Sequence, residues 1–461
     1  RALTRGALAP KTLVDAAPTL TRTLAPAWLA TPYDVPLLPE GLDFDTVLLV
    51  DAGGICLAEA APAIRRARQI VAFGDPATQR PSPFTIGIGA EVGIDLAPDA
   101  DADGVAFDDV SVFERLAEVL PVMTLTRSYR AGGEDLAELV NDAFYGGEIV
   151  SLPWAGSYLG RGSLSVDYVE NGTGTPDPIS GAVESTKAEV ERIVTLVAEH
   201  AVNRPSESLM VVTASPRHAE RLRHEITVKF SERPELAEFA SRDSAEPFAV
   251  LTLEQSVAES RDRVIFSLGY GLTRHGRVLS DFGDLSTPDG ERLLTVGMTR
   301  ARRSMVIVSS IRPSAFDERK LEHGASTLMD ILAGVAERSR HGNLEDLADP
   351  LTRVLARELR ALGVDCALGY RGTLALVAKH EGKAVVAESD PEVHGSSLRE
   401  TLRLRPQVLR RLGWHYVRVH AFDLYSDPAA VAARIAGVLG VVASDPRPVD
   451  TTTQPISTIL E

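Results

Sequence analysis

The apolar positions of this chain fall in short runs that switch between a strand-like and a helix-like period, and that alternation predicts an α/β protein built on parallel sheets. Runs of β-branched and aliphatic residues predict strands at 46–51, 69–73, 122–125, 148–152, 208–213, 248–252, 263–268 and 304–309. Segments with helical spacing lie between them, at 57–68, 111–120, 134–143, 187–201, 215–227 and 292–302. In 187–201, Val190, Ile193, Val194 and Val197 share one helical face. The stretch 154–183 is rich in Gly, Ser, Thr and Pro and reads as a long excursion between two strands of one domain. Residues 85–109 set Glu91, Asp95, Asp99, Asp101, Asp103, Asp108 and Asp109 among small residues, the pattern of a solvated loop.

The rhythm then changes. A helical stretch around 316–340 leads to His341-Gly342-Asn343, a natural boundary. Beyond it come a helix at 350–362, a hairpin of 374–379 and 384–388 turning at His380–Lys383, a mostly helical 398–412 despite Pro406, and a strand at 415–420. The expected organisation is a first domain at 1–121, a second at 122–315 containing the excursion near 154–183, a helical linker at 316–345, a small α/β domain at 346–442 and a disordered tail at 443–461.

Composition narrows the function classes. At 461 residues, with ordinary apolar content (44%), the chain has room for two or three cored domains. No apolar run approaches the ~18 residues of a membrane span, so no membrane partner is expected. Cys56 and Cys366 lie far apart, which excludes a disulfide framework and suits a reducing cytoplasm. The net charge of −16 excludes a surface coated with phosphate contacts, leaving nucleic-acid binding to local arginine patches. The chain opens on Arg1 with no signal-peptide pattern, which reads as a piece of something longer.

Candidate chemistry starts where the strand run ends in Asp51, followed by Ala52-Gly53-Gly54. A second run ends at Phe73, followed by Gly74-Asp75-Pro76-Ala77-Thr78-Gln79. A strand-terminal Asp can reach the Mg²⁺ of a bound nucleotide, and a turn at the next strand end can sense its γ-phosphate. Two arginine-bearing segments join these: Leu125-Thr126-Arg127-Ser128-Tyr129-Arg130, and Thr299-Arg300-Ala301-Arg302-Arg303 closing a predicted helix. Arg130 and Arg300 are candidates to lend charge to a phosphoryl transition state. Each piece alone has a plainer reading: Asp51 as a turn or helix-cap residue, and 299–303 as a solvated basic face.

In order and spacing, these segments resemble superfamily 1 helicases, in particular large bacterial proteins with a helicase core and a C-terminal nuclease-like domain. The resemblance runs from Trp28-Leu29-Ala30-Thr31-Pro32 to Ser310-Ile311-Arg312-Pro313, taking in Asp262–Gly271, Phe282-Gly283 and Gly290-Glu291-Arg292. It implies RecA-like P-loop NTPase lobes, the first incomplete, with ATP and Mg²⁺ as cofactors. Asp51 would be the Mg²⁺-side carboxylate, with Gly74, Asp75 and Gln79 on the nucleotide side. Arg130 would be the arginine of the fourth motif and Arg300 the arginine finger of the sixth.

The departures carry equal weight. No Gly-x-x-x-x-Gly-Lys-Ser/Thr phosphate loop occurs in the chain; in the family it lies upstream of the region seen here. Where the family has Asp-Glu-Ala-Ser, this chain has Asp51-Ala52-Gly53-Gly54. A gapless alignment puts Thr78 in the place of the third motif's Gln, with Gln79 one position late, and Val257-Ala258 replaces the Gln-Gly of the fifth motif. Loss of a water-activating carboxylate costs roughly 10²–10⁴-fold, so efficient ATP hydrolysis is not expected.

The region after 350 resembles the very-short-patch-repair-like branch of the PD-(D/E)XK nucleases, a restriction-endonuclease-like fold. The matching residues are Gly369-Tyr370-Arg371, Leu374-Ala375-Leu376, Glu388-Ser389-Asp390, His394, Ser396-Ser397, Arg399, Arg403, Gln407 and Leu412-Gly413-Trp414. The resemblance implies a weak metal site on Glu388 and Asp390, which stand at i, i+2 on one strand. The family's strand-two aspartate falls on Thr373. Arg399, Arg403, Arg405, Arg410 and Arg411 form either a phosphate-gripping face or a solvated one.

Three readings follow. The first is a catalytically degenerate helicase–nuclease that binds nucleic acid, DNA ahead of RNA, in repair or defence. Its partners would be the missing N-terminal part or other repair and defence proteins. The second is an active ATP-dependent DNA helicase whose phosphate loop lies upstream. The third is a protein-interaction scaffold that no longer binds nucleic acid.

Overall fold

The apolar run before Asp51 forms a strand because a second run, ending at Phe73, lies parallel beside it. The computed structural model describes residues 10–81, 110–127, 133–178, 181–242, 244–316, 320–338, 349–389 and 397–441. Arg130, Asp390, His394, Ser396, the acidic stretch 85–109, the boundary at 341–343 and the tail 443–461 fall outside the described residues. The chain divides into two units, 1–125 and 126–461.

The first unit contains α1 (Pro10–Ala16), α2 (Pro18–Leu24), β1 (Phe44–Leu49), α3 (Leu57–Ile64), β2 (Ala67–Ala72) and α4 (Val112–Ala117). Val47 of β1 lies opposite Ile70 of β2, and Leu49 opposite Ala72. Leu49, Ala52, Ala60 and Val112 close a small core under the pair. Ser111 starts α4 with a reciprocal cap, its hydroxyl accepting from Glu114 N and its own N–H donating to the Glu114 carboxylate. Two parallel strands cover little apolar surface, and Leu48, Val50 and Phe73 remain exposed.

In the second unit the order is α5 (Glu134–Phe144), α6 (Ala155–Tyr158), β3 (Leu164–Tyr168), β4 (Thr173–Gly174), α7 (Lys187–Asn203), β5 (Leu209–Thr213), α8 (Pro216–Ser231), α9 (Pro234–Ser241) and β6 (Ala249–Thr252). It continues with β7 (Arg261–Ser267), β8 (Leu272–Thr273), α10 (Gly290–Met298), β9 (Ala301–Ser309) and α11 (His323–Arg338). Five strands pair in parallel in the order β3-β9-β7-β5-β6. Their residues alternate between two cores, as the two-residue period of a strand requires. Met210, Val212, Val264, Phe266, Met305 and Ile307 face α10 and α11, whereas Leu209, Val211, Ile265, Val306 and Val308 face α7, α8 and α9. Apolar burial on both sides explains why these strands read as continuous hydrophobic runs. This is the α/β class with a parallel sheet that the alternation of periods predicts.

The remainder folds as α12 (Pro350–Ala361), β10 (Asp365–Tyr370), β11 (Leu374–His380), β12 (Lys383–Glu388), α13 (Arg405–Arg411), β13 (His415–Arg418), α14 (Ala421–Ser426) and α15 (Pro428–Leu439). The sheet order is β10-β11-β12-β13, the last pair parallel. The β11–β12 hairpin closes through Glu381 (φ 43°) and Gly382 (φ 79°), the paired positive angles of a two-residue turn. Helices α12 and α15 cover one face of this sheet. The other is covered by α13 and by residues from 152–159. Trp414 Nε1 donates to Pro153 O (2.7 Å) and Ala155 N to Leu412 O (3.0 Å).

Several expectations change here. The stretch 154–183 supplies α6, packed on the C-terminal sheet, and β3, an edge strand of the main sheet. The predicted helix at 292–302 stops at Met298, because Ala301 pairs with Arg261 and starts β9. The runs at 122–125 and 148–152 find no ladder, only a single bridge between Arg127 and Val150. Helix α11, expected as a linker, buries Ala325, Leu328 and Leu332 in the core of the main sheet. No helix among the described residues is long and apolar enough to cross a membrane, and Cys56 and Cys366 are buried and free.

Candidate functional site

After β1 the chain turns sharply, with Asp51 in the left-handed region at φ 55° and Ala52–Gly54 forming a single 3₁₀ turn. Asp tolerates this backbone better than most residues. Its side chain meets the second strand end: Gln79 Nε2 donates to Asp51 Oδ1 at 2.8 Å. The Gln79 carbonyl oxygen accepts from Asp75 N at 3.0 Å, so one amide bridges both turns. Asp75 orders its own loop, accepting from Ala77 N (3.1 Å) and Thr78 Oγ1 (2.6 Å). The extra residue before Gln79 is absorbed by this turn, so Gln79 rather than Thr78 reaches Asp51. Gly53 and Gly74 permit the approach: a Cβ on Gly53 would lie 2.6 Å from Gln79 Oε1, and one on Gly74 2.6 Å from the Phe113 ring.

Asp51 Oδ2 accepts no hydrogen bond from any described residue, and the side chain is exposed. A single carboxylate beside nucleotide phosphates is an ordinary setting for Mg²⁺, so Asp51 fits that ion. The next position does not fit a water-activating acid. Ala52 is 0% exposed in the small apolar core, with its N–H given to Phe73 O at 2.8 Å.

Arg300 occupies the turn between α10 and β9, at the amino end of the main sheet. It is 5% exposed. Its Nε donates to Val296 O (2.8 Å), Nη1 to Glu259 O (3.2 Å) and Nη2 to Thr299 Oγ1 (2.8 Å). Arg302, expected on a solvated helical face, instead lies on β9 and forks onto Glu246 while also meeting Asp262 and Ser208. That pairing holds the Glu246 carboxyl down to about 2. At Val257-Ala258 the backbone places Ala258 in the left-handed region at φ 64°, a conformation that favours glycine.

At the carboxyl ends of β5, β7 and β9 lies a buried network that patterning missed. Glu189, near the start of α7, accepts from Ser267 Oγ (2.6 Å), Gly269 N (2.9 Å) and Ser310 Oγ (2.9 Å). Burial pushes its carboxyl above the usual range. Ser267 spends its one proton on Glu189, so His218 Nε2 donates to Ser267 (2.9 Å) and Nδ1 accepts from Ser185 (2.9 Å). Burial lowers His218 to about 3. The usable signal was a serine at or just beyond the end of each apolar strand: Ser215, Ser267 and Ser310.

In the C-terminal sheet, Glu388 ends β12 and is paired with Arg405 at the start of α13: Nε lies 2.8 Å from Oε1 and Nη2 2.7 Å. Arg405 Nη2 also donates to Thr373 O at 2.7 Å. A carboxylate held this way does not fit a metal ion. Among the described residues no three His, Cys, Asp or Glu side chains gather as a metal-binding group. The Gly369-Tyr370-Arg371 turn faces the main-sheet body. Arg371 Nη2 meets Asp135 Oδ1 (2.9 Å), and Tyr370 OH donates to Glu134 Oε1 (3.3 Å). Glu134 is 2% exposed, and burial raises its carboxyl pKa. Arg399, Arg403, Arg410 and Arg411 are exposed.

Comparison with known proteins gives helicases. An uncharacterized ATP-dependent helicase of Mycoplasma pneumoniae, a homologue of MG140, is 24% identical over 287 residues, covering 59% of this chain and 24% of that protein. Its counterpart MG140 in Mycoplasma genitalium, also an uncharacterized ATP-dependent helicase, is 24% identical over 280 residues, covering 58% and 23%. The chain therefore spans about a quarter of the length of these relatives. Among solved structures, the C-terminal domain of a possible DNA helicase from Lactobacillus plantarum covers 43% of this chain and 99% of its own, at 13% identity and a TM-score of 0.23. The helicase of PRRSV covers 64% and 39%, at 12% identity and a TM-score of 0.27. Scores this low carry no weight for fold or function. No family model matches the chain.

Proposed function

We propose that this chain is part of a superfamily 1 helicase-like protein that binds nucleic acid, DNA ahead of RNA, but hydrolyses ATP poorly. Its C-terminal domain is nuclease-like and does not cut. The role is in DNA repair or defence in the cytoplasm, alongside partner proteins of that machinery. The observation that carries the reading is Ala52. The residue after the Mg²⁺-side Asp51 is sealed in an apolar core at 0% exposure, where no acid can reach a water beside a γ-phosphate. Arg300, turned onto main-chain carbonyls, supports the same reading. Helicase relatives more than twice as long, and a first unit whose described residues pair two strands, fit a nucleotide-binding lobe completed by further sequence. Bound ATP and Mg²⁺ would bring a phosphate chain to Asp51, where Mg²⁺ offsets its charge.

An ATPase assay on the full-length protein, with and without single-stranded DNA, tests this. Stimulated turnover near ~1 s⁻¹ or above would overturn it, because working phosphoryl-transfer enzymes reach that range. The retained Gln79–Asp51 bridge favours a second reading, an active helicase whose phosphate loop lies upstream, and the same assay decides between them. A salt-dependent DNA titration addresses the third, the scaffold: absence of binding at low salt removes the nucleic-acid function.

A further inference from the structure

We infer that the carboxylate site of the C-terminal domain is closed by an internal guanidinium, with Arg405 standing where a divalent cation would bind. The inference rests on the nuclease-like reading of that domain. Arg405 grips both oxygens of Glu388, with Nε at 2.8 Å from Oε1 and 3.1 Å from Oε2. Nη2 adds a 2.7 Å contact to Oε1 and another of 2.7 Å to Thr373 O. Such forked pairs are among the stronger charge-assisted hydrogen bonds. Mg²⁺ needs oxygen lone pairs at ~2.0–2.1 Å in near-octahedral array. Here the lone pairs that face the strand junction already point at N–H groups.

The backbone sets this geometry up. Glu388 closes β12, and Thr373 is held in the turn before β11 by its N–H bond to Tyr370 O (3.1 Å). A wide π-turn at Glu400–Leu404 leads into α13, so that Arg405 starts the helix beside both. Glu388 and Arg405 are 13% and 25% exposed at their side chains, sheltered enough to resist screening. A cation bound to the same carboxylate would lie close to the guanidinium, and the two positive groups would repel each other. Arg405 therefore links β11, β12 and α13 as a fixed counter-ion, and the loss of an acid at Thr373 is only half of what separates this site from a metal centre.

The test is Mn²⁺ titration of the full chain in an Asp51→Asn background, so that the first unit adds no signal. Thr373→Asp alone is expected to leave binding as weak as in the parent. Thr373→Asp combined with Arg405→Met or Arg405→Gln should bind about tenfold to a hundredfold tighter, the usual span for changes around a metal ligand. If Thr373→Asp alone binds as tightly as the double variants, the guanidinium is no barrier and the inference fails while the nuclease-like reading stands. If the folded double variants gain nothing, both fail. Should the variants not fold, the ¹⁵N resonance of Arg405 Nε in the parent protein decides. Selective broadening of that signal by stoichiometric Mn²⁺ would overturn the inference, and an unaffected signal supports it.

Discussion

Gln79 and Asp51 are joined by a 2.8 Å hydrogen bond from the Gln79 amide to Oδ1, although 28 residues of chain separate them. Because the same amide accepts from Asp75 N, it fixes the distance between the two strand-end turns. Asp51 thus keeps a defined orientation, with no described residue donating to its second oxygen. Beside it, Ala52 is buried in the small apolar core and carries no acid.

Gly53 is the position that tests this bridge. A Cβ there meets Gln79 Oε1 at 2.6 Å and Gln79 Cβ at 2.8 Å. Gly53→Ala should displace Gln79 at a cost of about 1–3 kcal/mol, the range for overpacking. In a double-mutant cycle with Gln79→Ala the two costs should fall short of additive. Full additivity in urea unfolding would show that Gln79 is not what Gly53 makes room for.

Placing an acid at position 52 should not raise ATP hydrolysis. Ala52→Glu drives a carboxylate into the cluster of Leu49, Ala60 and Val112. An unpaired buried acid costs several kcal/mol, so the first unit should lose its cooperative melt and ATP turnover should stay flat. A folded Ala52→Glu protein that hydrolyses ATP faster would reverse this account.

The C-terminal sheet and the main-sheet body share Glu134, Asp135, Tyr370 and Arg371. Removing Arg371 takes away the cation that meets both acids at the start of α5. Arg371→Met should cost up to about 3 kcal/mol, the low end for breaking a buried pair because Asp135 keeps some solvent. Differential scanning calorimetry should then resolve separate transitions for the two sheets. A single, unshifted transition would mean the contact is not what couples them.

The buried His218 gives lobe stability a pH dependence with a definite sign. It is held at about 3 when folded and titrates near 6.5 when free, so at intermediate pH only the unfolded chain takes the proton. Its contribution is complete above that upper value and declines as pH falls, by at most ~1.4 kcal/mol per pH unit. Glu189, raised by burial, acts the opposite way, its contribution falling as pH rises above the ordinary carboxyl value. Hydrogen exchange of the β5 amides should show wild type losing protection through this window, and His218→Gln losing less. Parallel profiles for the two proteins would exclude the histidine as the source.

What was legible in the chain follows from where apolar residues had to go. β5, β7 and β9 are buried on both faces, so their runs of Val, Ile, Leu and Met stand out without neighbours to interpret them. β3 (Leu-Ser-Val-Asp-Tyr) is an edge strand whose polar residues resemble a loop, and β10 (Asp-Cys-Ala-Leu-Gly-Tyr) carries Asp, Ala and Gly, which favour strands weakly. At 299–303 the arginines looked helical, but pairing of Ala301 with Arg261 overrode local propensity. The candidate sites were harder still. Gln79 reaches Asp51 through a turn that hides one residue of spacing, and Arg405 finds Glu388 across 17 positions, where no short-range pattern exists.

Ala258 offers a test in which a departure from the helicase pattern and a backbone angle meet. The resemblance puts a glycine there, and the structure holds Ala258 at φ 64°, in the left-handed region. An L residue pays roughly 1–2 kcal/mol for that conformation, while glycine pays only through a more flexible unfolded chain, about 0.4–1 kcal/mol. The Ala258 side chain is exposed, so no packing is lost on removing it. Ala258→Gly should therefore raise stability by about 0.5–1 kcal/mol, visible as a higher melting temperature of the main-sheet body. The same change at Ala198, on helix α7, should lower stability by a similar amount, since a helix interior disfavours glycine. If Ala258→Gly destabilises as Ala198→Gly does, the turn does not need the left-handed angle, and its correspondence to the fifth-motif glycine loses its structural support.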